Sequence, residues 1–452
     1  MKTPICDFTE EYAQKDPIRL HMPGHKGEGG DAFRYDITEI TGADSLYSAD
    51  GIIRESEKNA SLLFNANTFY STEGSSLSIR AMVYLLALYK GKKPLILAGR
   101  NAHKAFVSAV ALLGANVKWL YGEESASHLC CRVSAEDVAH RLDGMREKPD
   151  AVYITSPDYL GNVSDVEGIA KACHERGVLL LVDNAHGAYF AFLEGSMHPI
   201  ALGADMCCDS AHKTLPALTG AAYLHISKNA PDVLKENAKN ALALFGSTSP
   251  SYLILASLDR LNEHLETGYR EALSSCVQAV RELRRKLSDI GYTLVGDEPM
   301  KLTISTKPYG YLGSEIAQHL EENGIFPEFF DPDFLVLMPS PSLDDASLDR
   351  VFAVLEALPK KEKITDAPPR LTPPFCALSI REATFSTSEK VAVGNAKGRV
   401  LAAITVGCPP AVPIAICGEV IDDATVACFK YYGISTCLVV KENNMKIPKD
   451  AI

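Results

Sequence analysis

Short apolar runs alternate with longer amphipathic stretches from Pro94 onward. The runs at 95–98, 117–121, 151–155 and 178–182 carry no polar alternation, which predicts strands buried on both faces. Between them, 102–113, 135–142 and 166–176 show helical spacing, with Gly114 and Gly177 as stops. Strands alternating with helices predict a mostly parallel sheet covered on both sides. Two further strands, 204–209 and 221–226, bracket Ser210-Ala-His-Lys-Thr-Leu-Pro-Ala-Leu-Thr-Gly220. Upstream, 77–89 is apolar and helical, and Phe69 to Ser76 reads as a Gly/Ser turn leading into it. Residues 1–50 read as an arm, polar and aperiodic over 36–47. Downstream, 253–290 is a long helical region. A smaller α/β unit follows, with strands at 301–305 and 334–338 and helices at 314–323 and 343–358. The Lys- and Pro-rich stretch 360–374 reads as a linker. The expected division is an arm (1–50), a large domain (51–250), a linking helix with a small α/β domain (251–360) and a C-terminal α+β domain (375–452).

In open parallel sheets, ligands bind beyond the C-terminal strand ends. The loops at those ends hold Arg100-Asn-Ala-His103-Lys104, Ser156-Pro-Asp-Tyr-Leu-Gly161, Asp183-Asn-Ala-His186-Gly187 and the Lys213 segment. A lysine between two buried strands carries a desolvation cost, so a use for its neutral amine is expected, and a Schiff base to a carbonyl cofactor is one. Lys213 is therefore expected to hold pyridoxal 5'-phosphate (PLP), with Ser210 and His212 as donors suited to its phosphate. An aspartate ending an apolar strand wants a cationic partner, and Asp183 is matched to a protonated pyridine nitrogen. His103 is placed to lie flat on that ring. The turn at Gly74, Ser75 and Ser76 opens a helix whose free N–H groups suit an anion.

The 452 residues are 46% hydrophobic and 23% charged, which fits a soluble multidomain enzyme. A net charge of -12 argues against a nucleic-acid partner and is compatible with a cationic substrate. No apolar run is long enough for a bilayer and the N-terminus has no signal core, so a cytoplasmic protein is expected. The twelve cysteines form no C-x-x-C pair and read as reduced, with no metal site.

Three motifs, Leu20-His-Met-Pro-Gly-His-Lys26, Asp183-Asn-Ala-His-Gly187 and Ser210-Ala-His-Lys-Thr214, together resemble the bacterial Orn/Lys/Arg decarboxylases. The likeness runs as far as Gly418-Glu419. It implies an α/β large domain of the PLP-dependent, aspartate-aminotransferase-like type (fold type I). Carried over residue by residue, Lys213 is the Schiff-base lysine and Asp183 pairs with the pyridine nitrogen. Ala185 packs on one ring face and His103 on the other. Gly74, Ser75, Ser76, Ser210 and His212 hold the phosphate. Ser247 and Thr248 reach the phosphate of a neighbouring subunit, implying a homodimer with shared sites. His186 lies near the cofactor without an assigned role. Two departures stand out: Leu77 replaces a small hydroxyl residue, and Cys408-Pro-Pro-Ala-Val-Pro413 replaces Tyr-Pro-Pro-Gly-Ile-Pro in a region that shapes the substrate end of the pocket.

The implied reaction is decarboxylation of arginine, lysine or ornithine to the amine, a step toward polyamines. Lys213 and His103 are both candidates to return the proton, and Glu419 is a candidate partner for the distal cation. The alternatives are an aminotransferase or β-eliminating lyase of the same fold, or a non-catalytic PLP- or polyamine-binding regulator.

Overall fold

The computed structural model describes residues 1–122, 127–371, 373–406 and 411–441. Its central sheet has seven strands: β1 (Asn67–Ser71), β2 (Leu95–Gly99), β3 (Asn116–Leu120), β4 (Ala151–Thr155), β5 (Leu179–Asp183), β6 (Met206–Asp209) and β7 (Ala222–Ile226). Their order is β1-β7-β6-β5-β4-β2-β3. Only β7 runs against the rest; it is antiparallel to β1 and β6, and the other pairs are parallel. Neighbouring side chains alternate between two cores. Val152 and Ile154 of β4 face α5 (Ala135–Gly144) and α6 (Val166–His174). Ala151 and Tyr153 face α3 (Gly74–Lys90) and α4 (Lys104–Leu113). The expected parallel sheet with covered faces is what forms, because both faces of each strand find apolar partners.

One strand escaped the pattern. Residues 67–71 were expected within or just before a turn, but they form the edge strand β1, paired with β7 from Asn67 opposite Ile226 to Ser71 opposite Ala222. The turn shrinks to Thr72 and Glu73. The expected arm opens with α1 (Pro4–Gln14), whose Ile5 is buried. The buried Asp259 carboxylate accepts from the Ile5 and Cys6 N–H groups (2.9 and 3.0 Å) and so caps this helix from far along the chain. Asp44 does the same for α2 (Ile52–Leu63), accepting from Gly51, Ile53 and Arg54.

The long helical region is two helices, α10 (Tyr252–Glu266) and α11 (Tyr269–Asp289), broken at Gly268. They follow the single turn α7 (Ala211–Thr214) and two short helices, α8 (Asp232–Glu236) and α9 (Ala238–Ala243). Next comes a small antiparallel sheet of β8 (Thr293–Val295), β9 (Leu302–Ser305), β10 (Phe329–Phe330) and β11 (Phe334–Leu337), in the order β10-β11-β9-β8. Helices α12 (Gly313–Glu322) and α13 (Asp345–Glu356) pack on it with the end of α11. The last unit carries α14 (Ile380–Thr384), β12 (Ser388–Ala392), β13 (Thr405–Val406), β14 (Pro413–Ala415), α15 (Asp423–Tyr431) and β15 (Thr436–Val440). It packs on α4 through Ala383, Val400 and Ile416 around Val107. Among the described residues, no helix is long and apolar enough to cross a membrane.

Candidate active site

The strand order switches between β2 and β4, and a crevice opens at their C-terminal ends, where open α/β sheets bind ligands. A cavity of about 310 Å³ lies there. Gly74, Ser75, Ser76, His103, Asp183, Ala185, His186, Ser210, His212 and Lys213 all line it, drawn together from four separate stretches of chain.

β5 delivers Asp183. Its carboxylate is buried, accepting from Tyr153 Oη at 3.2 Å and from the Ala185 N–H at 3.2 Å. Burial pushes this carboxyl above the usual carboxylate range, and the nearby Lys213 ammonium pulls it back down. The Cys208 thiol is a third neutral donor at 3.6 Å, and a buried carboxylate held by neutral donors is suited to a cationic ring nitrogen.

β6 and the single turn α7 deliver Lys213. Its Nζ lies 3.0 Å from His186 Nε2. The lysine side chain faces the open cavity rather than being sealed between strands, as the sequence alone suggested. The surrounding protein still lowers its proton affinity, while Asp183 and Glu328 raise it. His186, which had no assigned role, is thus the hydrogen-bond partner of Lys213. It is buried, its Nδ1 has no partner among the described residues, and burial holds the ring well below its usual pKa, in the neutral form.

His103 sits at the start of α4 and caps it: Nδ1 accepts from the Ala105 N–H at 3.1 Å. Burial and the positive charges of Lys213, Lys104 and Arg80 lower its pKa to about 3. The ring is therefore neutral, with its proton on Nε2.

An anion cradle forms at the start of α3. The Gly74 N–H donates to the Gly220 carbonyl at 2.8 Å, while the N–H groups of Ser75 and Ser76 lie where a helix has no carbonyl to meet them. Ser210 Oγ donates to Ser75 Oγ at 2.9 Å, and His212 Nδ1 is held by the Ala221 carbonyl at 2.9 Å. The helix start and these hydroxyls form a donor set for a phosphate, with the His212 ring, its Nδ1 proton committed to Ala221, beside them. With an amine at Lys213 and a carboxylate at Asp183 across one cavity, the residues present fit PLP.

Several expected residues are not in this cavity. Ser247 and Thr248 lie on an exposed turn outside its lining, next to the lining residue Glu73, whose carboxylate accepts from the Ser247 N–H. Leu77 is fully buried in the core under α3, so it contributes no contact to the cradle. Glu419 does not line the cavity. It is buried and paired with Arg100 at 3.1 Å, and Arg100 also donates to the Pro413 and Ile414 carbonyls. This pair clasps the C-terminal unit to the loop after β2, which is why a carboxylate is needed there. Residues 408–410 of the C-terminal motif lie outside the described residues, but Val412 lines the cavity. In the N-terminal motif, His21 bonds Tyr12 and His25 bonds Asp36, away from the cavity.

Other residues went unnoticed in the sequence. Tyr153, inside an apolar strand, gave no sign that its hydroxyl would reach Asp183. Tyr159 lines the cavity, meets His186 edge-on with ring centroids 5.0 Å apart, and donates to Glu328 Oε1 at 2.8 Å. Glu328 is an exposed carboxylate on the small domain, close enough to raise the proton affinity of Lys213. The signal for Tyr159 was its place in a strand-end loop; Glu328 had none.

The Francisella novicida lysine decarboxylase superposes with a TM-score of 0.80 at 18% identity, covering 97% of this chain and 81% of that one. An arginine decarboxylase of Halalkalibacterium halodurans is 30% identical, over 94% of this chain and 92% of its own length. The Bacillus subtilis arginine decarboxylase is 28% identical, again over 94% and 92%. The family model described as "Orn/Lys/Arg decarboxylase, major domain" matches residues 3–295, a span that takes in the Asp183 turn, the Lys213 turn and the anion cradle. With that match over most of its length, the chain belongs to the Orn/Lys/Arg decarboxylase family.

Proposed function

We propose that the chain decarboxylates a basic L-amino acid (arginine, lysine or ornithine) to its amine, with PLP held on Lys213. The observation that carries this reading is the placement of Lys213 and Asp183 at the ends of adjacent strands, facing one cavity with an anion cradle at its side. PLP, when bound, supplies an electron sink for the carbon that loses CO2. Asp183 would hold a proton at the ring nitrogen, and its neutral donors Tyr153, Cys208 and the Ala185 N–H keep the carboxylate aimed. Ser75, Ser76, Ser210 and His212 would hold the phosphate, Ala185 one ring face and His103 the other.

Lys213 is the better proton donor of the two candidates. His103 keeps Nδ1 committed to the α4 cap and is neutral across the working pH range, so its place is against the ring. His186 receives a hydrogen bond from Lys213 and orients it. Glu328, fixed by Tyr159 at the cavity's edge, is the carboxylate that could receive the substrate's distal cation, in place of Glu419. The names of the relatives, arginine and lysine decarboxylases, support this substrate class.

A homodimer is part of the same reading. Ile18 and Leu20 are about 90% exposed on the N-terminal arm, a cost that a second subunit would relieve. Ser247 and Thr248 are free to reach a neighbour's cradle. A cytoplasmic setting and a role in supplying polyamines go with the family reading.

Borohydride treatment of the PLP-loaded protein, followed by peptide mapping, tests the cofactor site. The pyridoxyl label is expected on the peptide carrying Lys213, and a label elsewhere would sink the assignment. An assay for CO2 and amine over the three substrates separates this reading from an aminotransferase, which would release a 2-oxo acid.

A further inference from the structure

The loop after β4 brings Pro157 and Tyr159 to the cavity, yet its backbone is held from the small-domain side. The Asp158 and Tyr159 carbonyls accept from Lys301 Nζ at 3.4 Å each. The Leu160 carbonyl accepts from Thr303 Oγ1 at 2.9 Å. The Gly161 carbonyl accepts from the Asp297 and Glu298 N–H groups at 2.9 Å each. Every carbonyl from 158 to 161 is therefore bonded to the segment that leads into β9 or lies within it.

Lys301 is the unusual member of this set. It is only 3% exposed, and its ammonium rests on two carbonyl oxygens and over the Tyr159 ring, 5.7 Å from the centroid. Burial lowers the proton affinity of this amine, and the buried carboxylates Glu298 and Asp158 offset part of that cost, so the cation is retained at an expense that a role would explain. The contacts continue in one direction: Lys301 over Tyr159, Tyr159 edge-on to His186, and His186 on Lys213.

We propose that Lys301 is a positioning residue for the Lys213 site, a buried cation that pins the 158–161 loop to the small domain, seats Tyr159 against His186 and places a positive charge behind Lys213. This rests on the reading of Lys213 as the cofactor-bearing lysine. The charged and titratable groups around Lys213 are Asp183 from β5, Cys208 from β6, His186 and His212 beside it, His103 at the start of α4 and Glu328 from the small domain. Around Lys301 are Glu298, Asp158, Glu328 and Lys213 itself. A nearby cation disfavours a second positive charge. Removing it should let the nitrogen on Lys213 keep its proton to higher pH, and Glu298 and His186, which Lys301 also disfavours from binding protons, should shift the same way.

The test is a pH titration of the visible absorbance of the PLP-loaded enzyme, comparing wild type with Lys301→Met, Lys301→Gln and Thr303→Val. The midpoint in Lys301→Met should rise by about half a pH unit or more. Lys301→Gln, which is neutral but still a donor, should rise likewise, and it decides the matter if the methionine variant does not fold. Thr303→Val loosens the same loop without changing charge and should titrate with the wild type. An unmoved midpoint in the folded Lys301 variants overturns the proposal, and so does an equal rise in Thr303→Val. Absence of a borohydride-fixed chromophore on Lys213 in the wild type would instead defeat the cofactor reading itself, so the two failures are distinguishable.

Discussion

At the residue scale, the site depends on side chains whose charge state is set by their surroundings. Asp183 is buried with only neutral donors around its carboxylate, so replacing it by asparagine keeps the packing but loses the ability to hold a proton on the ring nitrogen. Asp183→Asn should still bind PLP, while turnover falls by roughly two orders of magnitude or more; near-normal turnover would reduce Asp183 to a strand-end residue. Glu328→Gln should raise KM for the preferred basic amino acid roughly fivefold, with a smaller change in kcat, because only a distal charge contact is lost. An unchanged KM would move cation recognition elsewhere. His103 gives a pH dependence with a definite sign. Its folded pKa of about 3 lies below the ordinary value of 6.5, so the unfolded chain binds the extra proton more readily. The stability gained by keeping it neutral is whole above about pH 6.5 and is lost as pH falls toward 3. Urea melts at pH 7 and pH 5 should show a smaller acid loss in His103→Gln than in wild type.

At the element scale, the anion cradle exists because a tight turn fits under the start of α3. Gly220 adopts φ +98°, and a Cβ there would lie 2.9 Å from the Thr72 carbonyl oxygen. Its own carbonyl anchors the Gly74 N–H. Gly220→Ala should cost about 1–2 kcal/mol in backbone strain and shift the helix start, so PLP affinity should fall along with the melting temperature. If affinity is unchanged, the cradle does not depend on this turn. The helix α3 was legible in the sequence from its apolar run, and so was its capacity for an anion. The strand β1 before it was not. Its pairing partner β7 lies far along the chain, and five residues of mixed polarity do not announce an edge strand.

At the scale of the whole molecule, the active site is assembled from distant pieces, and one group of expected residues makes sense only across a subunit boundary. Ser247 and Thr248 are exposed and outside the cavity of their own chain. If they complete a neighbour's cradle, each subunit of a two-fold dimer lends the same turn to the other. Thr248→Ala should then weaken PLP binding by about 1 kcal/mol or more, the value of a hydrogen bond to a charged group. A mixed dimer of Lys213→Ala and Thr248→Ala subunits would concentrate both lesions in one site and leave the other intact, so partial recovery of cofactor affinity is expected. A fully active monomer in sedimentation at assay concentration would refute sharing.

The sequence by itself determined the layered α/β architecture, because apolar runs without alternation need cover on both faces. It also determined the identities of Lys213, Asp183 and His103 as cavity residues, because local motifs at strand ends are read where ligands bind. Tertiary structure alone decided what each of these side chains touches. His186 became the partner of Lys213 through a 3.0 Å contact that no spacing reveals. Glu419 looked like a free carboxylate until the fold brought Arg100 beside it. Glu328 and Lys301 looked like ordinary charged residues until the small domain carried them to the cavity's edge and behind it. The physical reason is common to all four. Strand and helix periodicity is a local property of the chain, whereas the pairing, burial and charge of a side chain depend on residues that only folding brings near.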